Sequence, residues 1–259
     1  MKPNRTDLLR YALWLGVVGT ANANRKYYGL PTTWMFHLTL NSLLLFLPEL
    51  YRGASALLQL DARARHRRDM ISAAHGMIQD TVVNHPQYAL YVSPVPLAYM
   101  VSHPKFNIYK GHLAELRLFG FGLDAIPHAA TAFGFTTLVM EALRAFRRHA
   151  PPDARWYPYA ARADEHSAVV AGALLASASA LYESGEYAIH EEELRETGGD
   201  ITRINLVWSA QDTLFDLMSN SIGWLAAALV AARKRKQDRA VARGKTTVTA
   251  RTPVSAPHR

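Results

Sequence analysis

Apolar and Arg-rich stretches alternate along this chain, and that alternation limits its folds more than any single motif does. "LTLNSLLLFL", "FTTLVMEAL", "AVVAGALLASASALY" and "IGWLAAALVAA" are separated by polar segments dense in arginine. A mean hydropathy near zero hides the segregation. A helix needs about 20 apolar residues, at about 1.5 Å each, to cross a bilayer. The pattern therefore predicts an all-α fold: a polytopic membrane helical bundle of about six transmembrane helices. The expected crossings are Leu8–Ala21, Leu30–Leu50, one within Met70–Val101, Leu118–Leu143, Ala168–Ala188 and Leu206–Ala232. The third is the least apolar, since "ISAAHGMIQDTVVNHPQ" is polar and only "YALYVSPVPLAYMV" is not. "LLRYALWLGVVGTANAN" reads as a retained first crossing rather than a cleaved signal.

Charge orients the bundle. Nine Lys/Arg lie between Arg233 and Arg259 against one acid, Asp238, while the preceding 232 residues hold 20 of each sign. A neutral body with a basic tail gives no basic face for nucleic acid, and membrane lipids are the expected partner. Residues 51–69, 144–166 and the tail are Arg-rich, whereas "HEEELRETGGDITR" (190–203) is acidic. By the positive-inside rule, six crossings put both termini in the cytoplasm of a bacterial inner membrane and the acidic loop outside. Residues 1–236 read as one membrane domain, with its motifs in 118–232, and 237–259 as a disordered basic cytoplasmic tail. The chain has no cysteine, which excludes thiol chemistry and thiolate metal sites.

Three apolar helices each carry an acidic or acid–histidine pair on one face. Asp124 and His128 are four apart, Glu183 and Glu186 three apart, and Asp212 and Asp216 four apart. Counting from the expected outer ends, Asp124 and Asp212 lie about 9 Å inward, and His128 and Asp216 about 15 Å. An acid at the bilayer centre costs on the order of 3 kcal/mol, so these groups are expected to face the bundle interior and pair, share a proton or bind a cation. Plainer roles compete. Glu183, Glu186 and His190 also suit a solvated headgroup layer, Asp124–His128 a lone structural pair, Asn220 and Gly223 helix packing, and Tyr182 and Tyr187 interface anchoring. His37 and Asn41 stand alone on the second helix. His75 and Asp80 are not assigned to the cluster.

"DAIPH" (124–128), "YESGE" (182–186) and "DTLFDLMSNSIG" (212–223), in that order, resemble the three membrane motifs of YjdF-type bacterial inner-membrane proteins. Asp216, Asn220 and Gly223 also look like the last motif of VanZ-like proteins, which otherwise tend to have Glu-x-x-Gln where Glu183 and Glu186 stand. "TGGD" (197–200) is similar to a YjdF-type element but lies farther from the last motif. The resemblance covers residues 118–232 and implies a polytopic membrane protein of the cell envelope. It supplies no reaction.

The leading expectation is a buried Asp/His/Glu site near the outer face. Asp124, His128, Glu183, Glu186, Asp212 and Asp216 are its candidate ligands for a divalent metal (Mg²⁺, Mn²⁺ or Zn²⁺), with catalytic roles for His128, Asp124 and Glu183 on a lipid or envelope precursor. A proton-coupled carrier using the carboxylates as a relay is the rival from another class. A non-catalytic bundle is the third reading. Substrate and oligomeric state are not legible.

Overall fold

The computed structural model describes residues 5–118 and 120–249, with side chains placed from 7 to 117 and from 120 to 238. Helices Arg5–Tyr28 (α1) and Pro31–Leu57 (α2) form a hairpin closed at Gly29, whose φ of +77° is open to glycine without strain. A short helix, Leu60–His66 (α3), follows. The next passage is broken. Met70–Ile78 (α4) runs into a π-helical turn at Gln79–Val83, then Tyr88–Val92 (α5) and Pro94–Met100 (α6) follow. Pro86 interrupts the run, and Pro94 starts α6, where its missing N–H costs nothing.

A loop with a tight two-residue ladder, Arg117–Leu118 (β1) against Phe121–Gly122 (β2), leads to Ala125–His149 (α7). Tyr157–Glu165 (α8), Ser167–Glu196 (α9) and Ala210–Thr249 (α10) complete the chain. The fold is all-α apart from that ladder. α7 is the hub, packing most extensively on α10 and also on α4, α9, α5, α6 and α8.

Expected boundaries shift at α7, α9 and α10, among others. The fourth helix starts at Ala125 rather than Leu118, because the chain first turns back at Gly120 (φ +87°) to form the ladder. α9 runs eight residues past Ala188 and stops at the paired positive-φ glycines Gly198 and Gly199, the latter donating to the Leu194 carbonyl at 2.8 Å. α10 is helical to Thr249, so the first part of the segment expected to be disordered is helix; residues 250–259 lie outside the described residues.

Apolar side chains face outward along two helices, while polar groups are buried beside the apolar core. Leu214, Met218, Ile222, Leu225 and Leu229 form an outward row on α10, with Ile222 and Leu229 each 54% exposed; Val169, Leu174 and Leu181 do the same on α9. The interior meanwhile holds Asn24, Asn41, Thr136, Glu193 and Ser219 almost fully buried. α9, and α10 as far as Asp238, are long and apolar enough to cross a membrane.

Ion pairs, one of them on the buried Arg10, fasten the end of the bundle where α1 begins and α2 ends. Arg10 is 3% exposed and forks onto both oxygens of Glu49 at 2.6 Å, with Asp7 at 2.7 Å and the Leu45 carbonyl at 2.5 Å. Asp80 meets Arg148 and His149 at 2.8 and 3.0 Å, and Asp164 meets Arg147 at 3.0 Å and Arg235 at 3.4 Å.

Candidate functional site

The opposite end of the bundle encloses a cavity of about 500 Å³. It opens where α2, α7 and α10 begin and where α6 and α9 end, and it reaches inward along α2, α7 and α9. All six of Asp124, His128, Glu183, Glu186, Asp212 and Asp216 line it.

Local folding explains how they meet. Asp124 is the N-cap of α7, accepting from the Ala125 N–H at 3.0 Å, and His128 is one turn on. Because α7 starts seven residues later than expected, these two sit nearer the helix end than hydropathy placed them. Asp212 lies in the first turn of α10 and Asp216 one turn inward. His128 Nε2 lies 3.3 Å from Asp216 Oδ1, joining α7 to α10. α9 contributes Glu183, which accepts from the Thr213 hydroxyl at 2.7 Å, and Glu186, hydrogen-bonded by the Tyr182 hydroxyl. Asn220 donates to Ser179 Oγ at 3.0 Å. Close packing makes these contacts possible: a Cβ on Gly223 would run into the Ala129 carbonyl and lie 2.9 Å from the Ala132 Cβ.

Some plainer readings are set aside. Glu183 is buried rather than solvated, and His190, expected in a solvated headgroup layer, is buried and faces the Leu206 carbonyl at 3.2 Å. Tyr182 lines the cavity instead of anchoring at an interface, whereas Tyr187 is exposed and packs edge-to-face on Trp208. His75 and Asp80 lie at the far end, His75 between Tyr51 (3.0 Å) and Asp61 (2.9 Å). His37 and Asn41 also line the cavity, His37 stacked on Tyr99 at 4.7 Å.

Two loops roof the site, a feature the sequence did not reveal. Glu193 fastens the one between α9 and α10. It is fully buried, accepts from the N–H groups of Asn205 and Leu206 at 2.7 and 3.0 Å, and takes the Thr33 hydroxyl of α2 on its other oxygen. The other loop carries Tyr109 and Lys110. Lys110 donates to the Ile204 carbonyl and lies 5.2 Å from the Tyr28 ring centroid. Burial lowers its ammonium pKa, with Glu193 acting in the opposite direction. Burial, and then the nearby Asp124, raise that of the Tyr109 phenol.

The cavity wall changes along the bundle axis. The five acids and His128 lie toward the helix ends, and Leu40, Leu44, Phe135 and Leu175 lie deeper, with Asn41, Ser179 and Asn220 among them. Five carboxylates face two cationic side chains, Lys110 and Arg117. Oxygen and imidazole donors suit a hard divalent cation. Among the described residues, however, no group of three or more His, Asp or Glu is placed to hold one. Hydrogen bonding, charge and proton transfer are open to the side chains themselves. Comparison with protein-family models, with curated proteins and with solved structures finds no match for the chain.

Proposed function

We propose that this is a bacterial inner-membrane protein crossing six times, with both termini cytoplasmic, and that its outer-end cavity binds the head of an amphiphile, a lipid or a lipid-linked envelope precursor. Support for the membrane comes from the apolar rows facing outward on α9 and α10 while amides and carboxylates are buried, the reverse of a water-soluble surface. Support for the orientation comes from arginines gathered at one end and acids at the other. α5 and α6 together span only about 20 Å at helical rise, so the third crossing draws on the turns before them. The kinship with YjdF-type proteins rests on the three ordered motifs alone.

The observation carrying the ligand class is the graded lining. An amphiphile of the outer leaflet has its head at the outer end and its tail toward the bilayer middle, the same order as the cavity wall. An excess of carboxylates favours a head bearing an amine or several hydroxyls. His128, held by Asp216, is the group suited to take or return a proton there, with Asp124 and Glu183 binding the head beside it. The proton-relay carrier draws on the same pair, and proton uptake by proteoliposomes without an amphiphile favours it instead.

Native mass spectrometry of the protein released from nonionic detergent tests the reading. Wild type is expected to retain an amphiphile. Ala178→Phe, which fills the wall between the acids and Leu175, loses it while keeping its helical signal. Equal retention by both proteins contradicts the proposal.

A further inference from the structure

The arginine-rich end of the bundle holds a second, unrelated hollow of about 460 Å³, lined by Arg68, Arg144, Arg147, Arg148, Tyr157 and Asp164 among others. Arginines at the last turn of a helix are commonly explained by the helix dipole and by ion pairs. Those explanations cover part of this set. Arg147 and Arg235 share Asp164, and Arg148 shares Asp80 with His149. Two carboxylates thus serve three guanidiniums and an imidazole. Arg144 and Arg68 have no carboxylate partner among the described residues, and Arg144 is half-buried in the wall of the hollow. A half-buried guanidinium without a carboxylate presents a fork that can take an anion.

We propose that this groove binds a phosphate group, held by Arg144 and Arg68 with Arg147 and Arg148 beside them in its wall. Guanidinium forks match phosphate oxygens in pairs, and the four arginines lining the groove outnumber Asp164, the one acid in its wall. The phosphate comes from one of two sources: the headgroup of an anionic lipid in the adjoining leaflet, or a soluble phosphate compound. Nothing in this inference depends on what the acid cavity binds.

The test uses the full chain in nonionic detergent. One arm titrates inorganic phosphate at constant ionic strength by calorimetry. The other compares retention of phosphatidylglycerol and phosphatidylcholine by native mass spectrometry. Phosphatidylglycerol retained in preference to phosphatidylcholine assigns the site to a lipid head, and a phosphate isotherm assigns it to a soluble ligand. In whichever arm binds, Arg144→Gln and Arg68→Gln each weaken binding about tenfold, and Arg144→Lys falls between. Arg65→Gln, the same charge change on exposed α3 outside the groove, changes it less than twofold. Since Arg68 is exposed, its variant separates loss of the site from loss of fold. Binding in neither arm, or equal weakening by Arg65→Gln, overturns the proposal.

Discussion

His128 of α7 and Asp216 of α10 face each other at 3.3 Å across the most extensive helix contact in the molecule. Both side chains are largely withdrawn from solvent, so their interaction is poorly screened. They are expected to act as one unit in holding a ligand head. His128→Ala and Asp216→Asn each lower amphiphile retention, and the double variant is no worse than the weaker binder of the two. Titrations of all three variants check this; strictly additive losses contradict the pairing.

Glu193 closes the roof. Glu193→Ala leaves the buried N–H groups of Asn205 and Leu206 and the Thr33 hydroxyl without an acceptor, at about 1–3 kcal/mol for each group so orphaned. The 197–209 loop should loosen while the helices hold. Hydrogen exchange accelerating at Asn205 and Leu206, with exchange across α7 unchanged, is the expected signature.

Gly223 sets the distance between α7 and α10. In Gly223→Ala the new methyl meets Ala129 backbone, which cannot rotate away as a side chain would. Forced separation is expected to cost about 1–3 kcal/mol and to draw His128 from Asp216. A thermal melt reads the first effect and amphiphile retention the second. Ser221, two residues before Gly223 and exposed on α10, takes alanine without either effect.

The acids and His128 were legible because charge in an apolar helix is expensive and i, i+4 spacing fixes a shared face. That logic brought six residues from three helices to one cavity. His37 and Asn41 carry the same spacing, but a pair on one helix alone names no partner in the sequence. Glu193 sits in "HEEEL", which reads as a solvated acidic run; only the unseen extension of α9 buries it. Lys110 and Tyr109 reach the cavity from a loop, where periodicity carries no information. Five long helices were visible in hydropathy, but not the ladder at 117–122, because Leu118 and Phe121 are as apolar as a helix start. The broken passage at 70–100 was flagged by its polarity, while its exact breaks depend on the π-helical turn and on Pro86 and Pro94.

Asp69 supplies a pH signature at the other end. It caps α4 by accepting from the Ser72 N–H at 2.8 Å and pairs with Arg63 at 2.7 Å, and these contacts, Arg63 first, hold its carboxyl below the ordinary range. A depressed carboxylate stabilises above its unfolded pKa, near 4, and loses that contribution as pH falls below it. Exchange at Ser72 is therefore expected to quicken, relative to that of mid-helix amides, between about pH 4 and 2 in wild type. In Asp69→Ala it should be fast at the higher pH already, with no such step.

The proposed opening of the acid-lined cavity to the outer face is tested directly by single cysteines. The chain has none of its own, so each introduced thiol is the only target. Ser209 lies exposed at the cavity mouth and Asp153 exposed in the loop at the arginine-rich end. In spheroplasts, a membrane-impermeant maleimide is expected to label Ser209→Cys at once and Asp153→Cys only after lysis. Labelling in the reverse order, or of both without lysis, would contradict it.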